Sequence, residues 1–108
     1  MQPRGPTAVW LGRLADGAEG ELEGFLVMLH QPETIRRLRD NYHLTVYRLE
    51  RSGDRLRVTF GGDTPATLAN FLKAHRLWPG SWQYEGRGAV VPPGADGYAV
   101  LFDLADEA

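Results

Sequence analysis

LTVYRLERSGDRLRVTF, Leu44 to Phe60, decides the fold. Leu56, Val58 and Phe60 alternate with Arg55, Arg57 and Thr59, and a period of two sends the two sets to opposite faces of a strand. Gly53-Asp54 between the apolar rows fits a two-residue type II′ turn, since glycine accepts the positive φ its first position needs. With that turn at the tip, Ser52 pairs with Arg55, Glu50 with Arg57, Leu49 with Val58 and Tyr47 with Phe60. The apolar side chains then share a face, and the charged cross-strand pair is attractive. A slip of one residue sets Leu49 against Arg57 and loses the agreement. The stretch predicts a β-hairpin with its apolar row inward. Arg48, Arg55 and Arg57 fall on an outer, solvated face, where truncating Arg57 costs less than about 1 kcal/mol.

The flanks supply the remaining elements. Thr7 to Ala15 reads as a strand, and Asp16 to Gly20 as a turn. Glu21 to His30 carries a helical stripe at Leu22, Phe25, Leu26 and Leu29. However, Gly20 and Gly24 each cost a helix about 1 kcal/mol, and Phe25 to Leu29 also reads as a buried strand. The expectation is a strand paired with 7–15. Pro32 starts a helix with Glu33 at its positive end and an apolar stripe of Ile35, Leu38 and Tyr42. Thr64 caps a second helix that opens at Pro65 and stops before Pro79. A strand follows from Trp82, then a loop from Pro92 to Gly97. A last strand carries Tyr98, Val100, Phe102 and Leu104 on one face.

This order, ββαββαββ, predicts a single α+β domain over 1–108. It is a two-layer sandwich with a mostly antiparallel sheet of five or six strands and two helices on one face. Residues 1–6 and 106–108 are expected to be loose. If 21–30 is helical and fused with 32–42, the order becomes βαββαβ plus a final strand, the ferredoxin-like arrangement. The phrases Pro32-Glu33-Thr34-Ile35 and Pro65-Ala66-Thr67-Leu68 also allow a duplicated ββα unit, although helix-start chemistry is common enough to recur by chance.

Composition narrows the function. The chain has 108 residues, 43% hydrophobic and 24% charged, which suits a globular domain and not a disordered one. Cysteine is absent, so disulfide and thiol chemistry are excluded. The first ten residues lack the apolar core of a signal peptide, and the longest apolar run, Phe25 to Leu29, is too short to span a bilayer. A cytoplasmic protein is expected. Eleven of its twelve basic residues are arginine, which with the missing cysteine hints at a heat-adapted source.

Charge is uneven. Residues 36–57 hold seven arginines against Asp40, Glu50 and Asp54, a local +4 within an overall −2. Arg36, Arg37, Arg48, Arg55 and Arg57 are therefore the candidate binding residues, for phosphate or for an acidic partner. The pI near 5.9 and the absence of an RNA-binding strand motif weigh against nucleic acid. Gly61-Gly62-Asp63-Thr64 lacks the lysine of a phosphate loop. His30, His43 and His75 have no metal-ligand spacing. No metal or cofactor is expected, and Asp40, Tyr42 and His43 are the only catalytic candidates, joined merely by proximity in sequence. Trp10, Trp78, Trp82 and Tyr84 form an aromatic set suited to closing a core or to lining an interface. Val46 with Leu101 or Ala99 gives the outer sheet face an apolar share, which favours a homodimer. The expected function is a small non-catalytic interaction protein that self-associates; the alternative is a nucleic-acid binder using the arginine face. No motif is specific to a known family.

Overall fold

A computed structural model describes residues 7–62 and 82–107. Strand β1 (Thr7–Leu14) leads to helix α1 (Glu19–Leu29), then to helix α2 (Pro32–Arg36), which widens into a π turn over Arg37–Asn41. Strands β2 (Leu44–Ser52) and β3 (Arg55–Gly62) form the hairpin. Strands β4 (Trp82–Gly88) and β5 (Ala99–Asp103) follow. The five strands make one antiparallel sheet in the order β4-β1-β3-β2-β5. With α1 and α2 this is a two-layer α+β arrangement. The second helix expected at 65–78, its Thr64 cap, and Trp78 lie outside the described residues.

The hairpin has the register its sequence requires. Ser52 pairs with Arg55, Glu50 with Arg57, Leu49 with Val58 and Tyr47 with Phe60, and Gly53 takes the positive φ of the turn. Tyr47, Leu49, Leu56, Val58 and Phe60 are fully buried. They pack with Leu22, Phe25 and Leu29 of α1, with Leu38 of the π turn, and with Phe102 of β5.

Three expectations are corrected. Residues 21–29 lie within helix α1, so no hairpin joins them to β1. Leu22, Phe25 and Leu29 are buried, and covering each gains about 1.5–3 kcal/mol, more than the two glycines cost. Gly20 and Gly24 face open space. Val27, which made the segment look apolar on both sides, is 61% exposed. The element order therefore follows the βαββ opening of the ferredoxin-like alternative, with β3 lying between β1 and β2. The duplicated ββα unit falls with it, because a helix precedes Pro32.

The second correction concerns β5. Glu50 pairs with Val100 but Leu49 with Phe102, so the strand bulges at Leu101. A bulge restarts the alternation. Phe102 lies inward beside Leu49, whereas Val100 lies on the opposite face, 40% exposed.

The third concerns the outer face of the hairpin, which is covered rather than solvated. The segment from Ala89 to Tyr98 lies across it. Arg57 is only 3% exposed, Glu50 0%, and Arg48, Thr59 and Val9 are buried with them. Arg57 is therefore not the exposed side chain on which the expectation of cheap truncation rests.

Candidate functional site

The five arginines named from the sequence do not form one surface. Arg48 and Arg57 flank Glu50 inside the covered face. Arg57 donates from Nε to Glu50 Oε1 at 2.9 Å and from Nη2 to Oε2 at 3.1 Å. Arg48 donates from Nε to Oε1 at 3.2 Å, and the Gly94 backbone N–H donates to Oε2 at 2.7 Å. Both arginines also hold the covering segment. Arg48 reaches the Val91 carbonyl, and Arg57 the Ala95 carbonyl. The Arg57 guanidinium stacks 4.0 Å above the Tyr98 ring centre, with Asp96 at 3.4 Å. Burial pulls the Glu50 carboxyl upward, but the donors from Arg57, Gly94 and Arg48 prevail and hold it below the usual glutamate value. A buried carboxylate with four donors is a structural clasp, which leaves these two arginines little capacity for an outside ligand.

Arg55 is exposed beside the hairpin turn on that same sheet face. Arg36 and Arg37 are exposed on the helix layer, on the other side of the sheet. They border two hollows. The larger, about 480 Å³, is lined by His30, Pro32, Ile35, Arg36, Asp40 and Glu107. Its smaller neighbour, about 160 Å³, shares Arg36 and Asp40 and adds Glu33 and Arg37. Arg39 closes one end by donating to the carbonyls of Leu104 and Glu107, which pins the C-terminal turn, the single 3-10 turn Leu104–Asp106, against the helices. Arg36 and Arg37 thus have carboxylates for neighbours, so the rim of these hollows is electrically balanced.

Local backbone geometry around this groove is unusual. The Tyr42 N–H bonds the Arg37 carbonyl five residues back, and His43 follows at φ 53°. A left-handed residue other than glycine costs roughly 1 kcal/mol or more, and π turns recur at functional positions. Asp40, Tyr42 and His43 therefore sit on one distorted turn, but only Asp40 lines the groove. His30, Arg39 and Glu107 were not legible as members, because helix α1, the π turn and the C-terminal turn meet only in the folded chain.

Among the described residues the outer strands of the sheet are β4 and β5. On β4, Tyr84 rests against Trp10 at 5.0 Å between ring centres, and Trp10 in turn meets Phe60 edge-on at 5.5 Å. Trp10 and Tyr84 thus extend the core outward to a half-exposed tyrosine. On β5, Ala99 and Val100 are exposed and Leu101 half-buried. Among the described residues, no three His, Asp or Glu side chains are placed to hold a metal ion, and no helix is long and apolar enough to cross a membrane. No family model, curated protein or solved structure matches the chain.

Proposed function

We infer that the chain is a small interaction protein, without catalysis of its own, whose first partner is a second copy joined through β5. The observation that carries this reading is the chemistry of that edge. Exposed sheet edges are normally guarded by charges, proline, bulges or cover, and of these β5 has, ahead of Asp103, only the bulge at Leu101 among the described residues. Strand β4 carries Glu85 and Arg87. Strand β5 begins with Ala99-Val100-Leu101-Phe102, with no charge until Asp103, and among the described residues no strand pairs with its outer side.

A second copy suits this edge better than an unrelated strand. An antiparallel pair centred on Leu101 sets Asp103 opposite the second copy's Ala99, so like charges do not meet. Two-fold symmetry gives the incoming strand the same bulge and twist. The two sheets would then run on as one.

Light scattering behind a sizing column tests the reading. The wild-type chain should show twice its 12.0 kDa mass, and Val100→Lys should show that mass once. A wild-type monomer at about 100 μM, far above the micromolar constants of stable pairs, would refute the reading. So would a dimer indifferent to the lysine.

A nucleic-acid partner is the second reading, and it rests on Arg36 and Arg37, exposed and without an ion pair among the described residues. Glu33 and Asp40 beside them oppose a phosphate backbone. Binding to labelled DNA or RNA that falls steeply with salt, and that Arg36→Ala with Arg37→Ala abolishes, would favour it over the homotypic reading.

A further inference from the structure

We propose that the groove between α2, the π turn and the C-terminal turn binds a small zwitterion, a free α-amino acid with an aliphatic side chain. The proposal does not rest on the β5 pairing. Its volume of about 480 Å³ places the groove within the range of small-molecule pockets, and its lining offers both signs of charge beside the apolar Pro32 and Ile35.

The charges are available. Arg36 and Asp40 are four residues apart, a spacing that on a regular helix brings guanidinium and carboxylate together. The chain instead widens into the π turn between Arg37 and Tyr42. Arg36 and Asp40 form no ion pair among the described residues, yet both line the groove. Arg36 supplies donors for a ligand carboxylate. Asp40 and Glu107 supply acceptors for an ammonium group.

His30 adds a third polar contact. Its Nδ1 lies 2.8 Å from the Leu26 carbonyl, which can only accept. The hydrogen of the neutral ring is therefore on Nδ1, and Nε2 is left as an acceptor. The ring is steadied edge-on against Phe102 at 5.0 Å. Pro32, exposed, and Ile35, half-buried, are the apolar members of the lining, and they set the preference for an aliphatic side chain. The lining carries two arginines and two carboxylates, and Arg39 is engaged with carbonyls. A net-neutral ligand with separated charges matches that balance better than a simple anion does.

The test is a backbone-amide NMR titration of the full chain with L-leucine, N-acetyl-leucine and leucinamide. Leucine should shift the amides of His30, Ile35, Arg36 and Asp40 saturably. The acetyl form lacks the ammonium and the amide form lacks the carboxylate, and each should bind about tenfold or more weakly. Arg36→Ala and Asp40→Asn should weaken leucine binding to a similar degree. Both residues are exposed, and an unchanged spectrum away from the groove shows that the fold is kept. Should either variant misfold, the two blocked analogues on the wild-type chain still decide. No shifts up to about 10 mM leucine, ten times a weak ~1 mM constant, overturn the proposal. Equal binding of all three compounds also overturns it.

Discussion

Replacing Glu50 by Gln isolates the charge at the centre of the covered sheet face while keeping its shape. Glu50 accepts four donors, from Nε and Nη2 of Arg57, Nε of Arg48 and the Gly94 N–H. Glutamine keeps one acceptor oxygen and places an NH₂ group where the second carboxylate oxygen stood. At the Oε2 position that NH₂ meets the Gly94 N–H and Arg57 Nη2, and at the Oε1 position it meets the Nε groups of Arg57 and Arg48, donor against donor. Two buried guanidiniums then lose their buried counter-charge, and among the described residues the ion pair that remains to them is that of Arg57 with Asp96, 72% exposed on its side chain. Removing one partner from a buried ion pair costs about 3–5 kcal/mol, a large part of the roughly 5–15 kcal/mol that holds a domain together. For a chain of this length the melting temperature should fall by roughly 12–20 °C. Urea unfolding at neutral pH, followed by circular dichroism, measures the difference. A loss below about 1 kcal/mol, the value of an exposed pair, would refute the idea that this carboxylate clasps the covering segment.

Acid should act through the same group. The Glu50 carboxyl titrates below its ordinary 4.5 in the folded chain, so its stabilisation is present at neutral pH and is lost as pH falls through the folded value. The gap between wild type and Glu50→Gln should hold above pH 4.5 and close below it in acid-unfolding curves. Leu56→Asp should cost several kcal/mol, roughly 3 or more, whereas Arg55→Ala, exposed beside the turn, should move stability by less than about 0.5 kcal/mol in the same melts. Gly94 has φ 78°, so Gly94→Ala should destabilise by about 1–2 kcal/mol. Gly24→Ala, on the open face of α1, should stabilise by about 0.4–1 kcal/mol, and opposite signs in paired thermal melts are the expected result.

The parts legible in the sequence were those set by neighbours along the chain. The hairpin register followed from one turn glycine and two alternating rows. Helix α2 followed from Pro32 and its stripe. Helix α1 was misread because two glycines weigh on local propensity, while the burial of Leu22, Phe25 and Leu29 that outweighs them is tertiary. The β5 bulge leaves no local mark, so alternation read through Leu101 put Val100 on the wrong face. The cover over Arg57 comes from Ala95, 38 residues away, and nothing near either residue announces it. The groove was half legible. Arg36 and Asp40 stood out as charges, but the Glu107 carbonyl that Arg39 holds is 68 residues distant. Of the five arginines, the sequence could place each on a face but could not tell a solvated face from one roofed by a loop.

Backbone-amide hydrogen exchange at low and high protein concentration tests the β5 pairing most directly. Exchange at Val100, Leu101 and Phe102 should slow as concentration rises through the dimer range, while the amides of edge strand β4 stay unchanged. Exchange in β5 that is the same at both concentrations, or slowing confined to β4, would contradict a homotypic contact at this edge.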